Sequence, residues 1–267
     1  HSFTLFPYTT LFRSVYNMPE SVAELVLPTV LLYEQLLDLV PAQEIIITAD
    51  RFIHGMQLLH IGTKTNPALC KAWEQELISL FHCIGRRYLY DKKHVTQVER
   101  LAILMFDKLA KQYGMGERER LLLRGAAILH DLGKYICMRS HSTYTYELIM
   151  ATDIIGFSDR DKKIIALAAY YHANKLFDEI NLTAPAIDKD MVAVVAKLAT
   201  ILRLADALDR SYLQKIRQCS VTIKDKAMYV QAVSKKDLAL EEWTFTSKAS
   251  FFEEVYGLKA ILERVED

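Results

Sequence analysis

Glycine and proline are scarce, at 9 and 6 among 267 residues. So little punctuation argues for long helices joined by short turns. Cysteine is scarcer still: Cys70, Cys83, Cys137 and Cys219 lie far apart with no CxxC pair. That excludes a disulfide framework and a zinc cluster, and the thiols read as reduced, in a cytoplasmic protein. Neither sign of charge is in excess, Lys+Arg and Asp+Glu both being 33, so composition gives no support to a nucleic-acid partner. No apolar run is long enough to cross a bilayer. The longest, Val22 to Val40, is interrupted by Glu24, Pro28, Glu34, Gln35 and Asp38, which excludes a membrane span. What is present is a chain 51% hydrophobic and 25% charged, the balance of a protein with a substantial core in one large or two modest domains.

The start has no initiator Met and no positively charged n-region, so it does not read as a signal peptide. Thr4–Ser14 (TLFPYTTLFRS) is similar to the in-frame translation of a widely used sequencing adapter. Residues 1–14 are therefore set aside as a cloning or assembly scar, with a Phe/Thr-rich edge strand as the alternative, and the chain is expected to be a carboxy-terminal fragment.

Apolar residues recur at helical spacing from Pro19 to Leu39, ended by Pro41. Glu44–Thr48 has the apolar run of a buried strand, and Phe52–Leu59 predicts another helix. This stretch, residues 15–62, reads as an α/β remnant, since one strand cannot close a sheet. The polar, turn-rich Ile61–Pro67 is the expected linker. Beyond it, residues 63–267 read as a mostly α domain, with helices over Ala68–Tyr88, Lys92–Gln112, Glu117–His130, Thr143–Ile154, Asp159–His172 and Asp188–Gln214. Cys219–Ile223 and Met228–Val233 alternate at period two around Lys224–Lys226, a hairpin signal. A helix over Ser247–Val255 and a short apolar run, Leu258–Leu262, follow.

The chemistry concentrates in Leu129–Lys134 (LHDLGK). His130 and Asp131, adjacent on a helix, would point about 100° apart and converge only on an ion between those directions. Burying both is costly unless something coordinates them. His94 opens a helix with Val95, Val98, Leu101 and Ala102 behind it, and Asp206 is a carboxylate in an otherwise apolar helical segment. His94, His130–Asp131 and Asp206, each on its own helix, follow the order of the HD metal-dependent phosphohydrolase signature. Mixed nitrogen and oxygen donors suit Mn²⁺, Fe²⁺, Zn²⁺ or a looser Mg²⁺, with Mg²⁺ or Mn²⁺ the expected cofactor. Lys134 is the candidate catalytic cation, stabilising charge on a phosphate. Each residue also has a plainer reading: His94 as an ordinary helix-start histidine, Asp206 as a partner of Arg203 or Arg210. Asp209, one turn on, could take the role given to Asp206, but Arg210 beside it favours a solvated face. His141, in a polar loop, and His172, at a helix end, are candidates for a second ion, but read better as a loop and a core histidine. His141→Ala is accordingly expected to leave metal binding intact. Arg86, Arg87, Arg139, Arg203 and Arg210 could line a cationic groove for a phosphate chain or could be solvated helix ends.

With these residues in hand, the chain resembles the exopolyphosphatase/guanosine pentaphosphate phosphohydrolase (Ppx/GppA) family across residues 15–267. Met18–Glu20, Glu44–Arg51 and His54–Met56 resemble the close of that family's actin-like phosphatase domain. Arg86–Tyr88, His94, Leu129–Lys134, Leu202–Ser211 (LRLADALDRS) and Phe251–Tyr256 resemble its carboxy-terminal HD-type helical domain. The resemblance implies hydrolysis of polyphosphate, with guanosine pentaphosphate as a further substrate, a divalent metal and a homodimer. The family's phosphate loops and catalytic carboxylate lie in the amino-terminal half, which nothing here matches. Three functions stand open: the metal- and polyphosphate-binding tail of an exopolyphosphatase, a self-sufficient HD nucleotide phosphohydrolase, or a non-catalytic binding and dimerisation module.

Overall fold

A computed structural model describes residues 7–40, 52–173 and 186–265. The chain divides into two compact units, His1–His60 and Ile61–Asp267.

In the first unit, α1 (Pro7–Tyr16) and α2 (Glu20–Leu39) are joined by a tight turn at Asn17, whose φ is 49°. Thus Pro7–Tyr16 is helical, and the edge-strand alternative fails there. The strand expected at Glu44–Thr48 lies outside the described residues. No helix among the described residues is long and apolar enough to cross a membrane.

Helix α3 (Phe52–Thr65) continues through most of the stretch expected to be a linker. The break is confined to Asn66, whose side chain accepts from the backbone N–H groups of Ala68 and Leu69, with Pro67 at the first position of α4 (Pro67–Arg87). That pairing of an N-cap side chain with a proline needing no donor starts a helix at once.

The second unit is a helical bundle with a small sheet. Helices α5 (Lys92–Leu109), α6 (Glu117–Leu129), α7 (His141–Ala151), α8 (Asp159–Tyr171) and α9 (Val192–Ala207) follow α4. Helix α5 buries one stripe, Val95, Val98, Leu101, Ala102, Met105, Phe106 and Leu109, at the spacing of a half-buried helix. Helix α9 is buried almost all round from Val195 to Ala207, and so is α8 from Ile164 to Tyr171. These two form the centre of the core. Helix α9 is shorter than its apolar run predicts, because Asp209 captures the turn that follows: its carboxylate accepts from the Gln214 N–H at 2.8 Å. The chain reverses there through Tyr212 and Gln214, with φ values of 60° and 44°.

Strands β1 (Gln218–Lys224) and β2 (Ala227–Val233) form the expected antiparallel hairpin. Its two-residue turn, Asp225–Lys226, has both φ values positive, matching the strand twist. The final apolar run is a third strand, β3 (Lys259–Val265), parallel to β2. The intervening crossover is α10 (Ala239–Tyr256), which starts well before the predicted Ser247 and ends at Gly257 in the left-handed region. All four cysteines are free thiols.

Candidate metal centre

Three helix ends and the turn after α9 bring the polar groups together. Asp91 caps α5 by accepting from the backbone N–H groups of Lys93 and His94. This fixes His94 in the first turn, fully buried. Helix α6 stops at Leu129, so His130 is its C-cap and Asp131 lies beyond it at φ −107°, ψ 8°. The two residues therefore do not share a helix, as the motif alone suggested. Leaving the helix turns the Asp131 carboxylate back towards the His130 ring.

Around them, His94 Nε2 is 3.3 Å from His130 Nε2, 3.5 Å from Asp206 Oδ1 and 3.7 Å from Asp131 Oδ2. His130 Nε2 is 3.5 Å from Asp131 Oδ2 and 3.9 Å from Asp206 Oδ1. The four residues singled out from sequence as ligand candidates thus converge. His94, His130 and Asp131 form one group able to hold a metal ion; Asp131, His141 and His172 form another. His141, expected in a loop, opens α7; His172 is buried, as a core histidine would be; and the structure places the ring nitrogens of both beside Asp131.

Helix α7 causes this. Gly133 sits against it so closely that a Cβ there would fall 1.9 Å from the His141 carbonyl oxygen. The buried Thr145 hydroxyl accepts from the Gly133 N–H at 2.8 Å and donates to the His130 carbonyl at 3.1 Å. The start of α7 is thereby bolted onto the Leu129–Lys134 turn.

Asp209 corrects another expectation. It is buried, not solvated, and its Oδ2 accepts from His94 Nδ1 at 2.9 Å. Tyr212, absent from the sequence-derived set, stacks on the His94 ring with centroids 3.7 Å apart and donates its hydroxyl to Asp131 Oδ2 at 2.5 Å. A left-handed tyrosine is uncommon and such strain collects at functional sites. Lys134 Nζ also reaches Asp131 Oδ2, at 2.6 Å, and touches the Tyr212 hydroxyl. Lys248 of α10 holds Asp206 Oδ2 at 2.8 Å.

The electrostatics follow from burial and these partners. Burial opposes charge on His94, but hydrogen bonds to Asp206 and Asp209, with the charges of Asp206 and Asp131, lift it to about 9. Burial lowers His130, and drives His172 down to about 3. For Asp131, burial is outweighed by the charges of His130, His172 and Lys134, which keep it ionised well below the usual range. Asp206 is likewise held low despite burial, chiefly by Lys248 and His94. Burial and the Asp131 carboxylate push the Tyr212 phenol up, so it stays a donor.

A cavity of about 610 Å³ opens over Asp131, walled by Tyr88, Tyr90, Tyr135 and Tyr212, with Lys134 and Arg210 as its cations. Of the other arginines expected at a groove, Arg86, Arg87 and Arg139 are exposed, and Arg86 donates to Cys83 Sγ. Arg203 is elsewhere: it is buried in α9, donates to the Tyr171 carbonyl at 3.1 Å and lies over the Phe251 ring.

Comparison with known proteins adds the ancestry. Residues 81–254 match the family described as Ppx/GppA phosphatase, domain III. The chain is 31% identical over 98 residues, 36% of its length, to a guanosine-5'-triphosphate,3'-diphosphate pyrophosphatase of Aeromonas salmonicida (strain A449), of which that segment covers 19%. It is 28% identical over 140 residues, 51% of its length, to a protein of the same description from Aeromonas hydrophila, covering 26% of it. The matched chain is thus a minor part of the length of either relative. The family match extends from α4 through most of α10 and includes every residue of the centre. The chain belongs to the Ppx/GppA phosphatase family, and carries that family's domain III.

Proposed function

We propose that the carboxy-terminal helical unit is a metal-dependent phosphohydrolase of the HD type that cleaves a phosphoanhydride bond in a phosphorylated guanosine nucleotide. The observation that carries this reading is the position of Asp131, between the imidazole cluster and a cavity with four tyrosines, Tyr88, Tyr90, Tyr135 and Tyr212, in its wall. A nucleobase stacks on an aromatic ring for about 1–3 kcal/mol, whereas a bare polyphosphate chain calls for more cations than Lys134 and Arg210. The relatives' description, naming guanosine-5'-triphosphate,3'-diphosphate, supplies the expected nucleotide.

His94, His130, Asp131 and Asp206 would hold the ion. The donors of His94, His130 and Asp131 lie 3.3 to 3.7 Å apart, as atoms each about 2.1 Å from a common centre at angles of about 100 to 125° would, and Asp206 Oδ1 stands 3.5 Å from His94 Nε2 and 3.9 Å from His130 Nε2 as the fourth donor. Two imidazoles beside two carboxylates favour Mn²⁺ over Mg²⁺, which prefers oxygen and water. Such an ion supplies Lewis-acid polarisation of a phosphoryl oxygen and acidifies a water. The protein's own groups do the rest. Lys134 and Arg210 face the cavity and neutralise charge on the phosphoryl oxygens. The Tyr212 ring covers one face of His94 and keeps solvent from it. Lys248 keeps Asp206 ionised.

A second reading, favoured by the exposed Arg86, Arg87 and Arg139, is that this unit binds polyphosphate as the tail of a homodimeric exopolyphosphatase. Phosphate release by the whole chain in Mn²⁺, from guanosine-5'-triphosphate,3'-diphosphate and from inorganic polyphosphate, separates the two. Turnover of the nucleotide, abolished by Asp131→Asn, is expected. Turnover of polyphosphate alone would favour the second reading, and none on either substrate by metal-loaded protein would contradict the hydrolase.

A further inference from the structure

We propose that the cavity beside the centre selects guanine over adenine, and that the carboxylate of Asp91 makes the choice by accepting from the N1–H and the exocyclic amino group of the base. The inference rests on the reading above, because it presupposes a nucleotide in that cavity, and it names the residue that reads the base.

A carboxylate in the wall of a cavity built for a phosphorylated substrate repels phosphate, unless its charge is offset or it faces another part of the molecule. Two carboxylates line this cavity, Asp131 and Asp91. Asp131 is offset by Lys134 and accepts from Tyr212. Asp91 has no cation beside it among the described residues. Its Oδ1 accepts from the backbone N–H groups of Lys93 at 2.9 Å and His94 at 3.0 Å, and Oδ2 has no partner among the described residues. Other polar groups in the wall are already engaged: the Tyr90 hydroxyl meets His82 Nδ1 at 3.1 Å, and His141 Nδ1 bonds the Met138 carbonyl.

Oδ2 of Asp91 is thus left for donors carried by the substrate. Guanine presents two adjacent N–H donors on one edge, which suit the lone pairs of a carboxylate oxygen. Adenine presents a ring nitrogen lone pair at the same place, and the carboxylate repels it.

The connection that carries Asp91 is firmly held. Leu89 is left-handed, with φ 51°, and the Tyr90 N–H donates to the Gly85 carbonyl at 3.2 Å. The Tyr90 ring lies so close that a Cβ on Gly85 would fall 2.8 Å from it. Tyr88, Tyr90 and Asp91 therefore reach the cavity together. Tyr88 meets Tyr135 edge to face, with centroids 5.8 Å apart and planes at 73°. A base stacked on either ring keeps its hydrogen-bonding edge for Asp91.

The test uses the whole chain loaded with Mn²⁺ and the α,β-methylene 5'-diphosphates of guanosine, inosine, xanthosine and adenosine, which bind without cleavage, read by titration calorimetry. Guanosine should bind about tenfold tighter than adenosine, and about tenfold tighter than inosine, which lacks the amino group. Asn caps a helix as well as Asp does, so Asp91→Asn keeps its oxygen on the α5 backbone and presents an NH₂ group in place of Oδ2. Unchanged Mn²⁺ content checks that His94 has not moved. This variant should bind guanosine about 10- to 100-fold more weakly, and xanthosine, which carries an accepting carbonyl where guanine has its amino group, should become the preferred base. No preference for guanosine over adenosine in the unaltered protein would overturn the proposal. Equal weakening of guanosine and adenosine in Asp91→Asn, the mark of a ribose contact, would overturn it too. In both cases phosphate release from guanosine-5'-triphosphate,3'-diphosphate would leave the wider reading standing, whereas binding of none of the four would overturn both. If Asp91→Asn loses its metal, the unaltered protein decides: inosine bound as tightly as guanosine would overturn the proposal.

Discussion

Replacing Asp209 by Asn probes the centre without touching a ligand. All three groups around this carboxylate donate to it: His94 Nδ1 at 2.9 Å and the Gln214 amide side chain at 3.0 Å on Oδ2, and the Gln214 backbone N–H at 2.8 Å on Oδ1. An amide has only one accepting end. If its NH₂ faces His94, the imidazole must move its proton to Nε2, and the lone pair aimed at the ion is lost. If it faces Gln214, the turn that presents Tyr212 loses its anchor. Either way one or more bonds to a charged group disappear, each worth about 1.5–3 kcal/mol. Partners of metal-bound histidines typically carry about 10- to 100-fold in affinity. Mn²⁺ titration calorimetry of Asp209→Asn should therefore show binding weakened about 10- to 100-fold. Unchanged affinity in a folded variant would refute the assignment of Nε2 of His94 as a ligand atom oriented by Asp209.

Further outcomes are expected. Lys134→Met removes an ammonium 2.6 Å from Asp131 Oδ2; Mn²⁺ should bind about tenfold tighter, a gain of about 1.4 kcal/mol, while phosphate release falls about 100-fold. Titration and steady-state kinetics on one preparation check both. Gly133→Ala sets a Cβ 1.9 Å from one backbone atom and 2.6 Å from another, so urea unfolding should show a loss of about 3 kcal/mol. Glu241 accepts from the Ser211 N–H and Lys215; burial opposes its charge, but these bonds outweigh that and lower its pKa below the ordinary 4.5. A folded value below the unfolded one gives stability that is complete above pH 4.5 and is lost as pH falls through the lowered value. Glu241→Gln should flatten the acid limb of a urea-midpoint profile and leave the neutral region parallel.

Legibility from sequence tracked how local each cause was. His94, His130, Asp131 and Asp206 could be picked out because each is a polar group in an apolar helical setting, and that mismatch is visible in a few residues. His141 and His172 could not. Their meaning comes from α7 docking on Gly133 through Thr145, a contact between separate elements. One faint signal existed: His130 and His172 both end helices three residues after an alanine whose carbonyl takes the Nδ1 proton. Asp209 was misplaced because a neighbouring arginine suggests a solvated face, an inference that holds only while the helix continues. It stops at Ala207, and the reversal sends Asp209 inward and Arg210 out to the cavity rim. Arg203 shows the converse, a cation whose long stem lets it sit inside the core against a backbone carbonyl. The helices of the second unit and the β1–β2 hairpin were legible from periodicity, whereas β3 depends on a parallel crossover through α10 that no short window contains.

The central claim is that side chains from separate helices share an ion. Anomalous diffraction at the manganese edge, from crystals grown with Mn²⁺, tests it most directly. The account predicts a peak bonded to His94 Nε2, His130 Nε2, Asp131 and Asp206; clear density for those four side chains with no anomalous peak among them would contradict it.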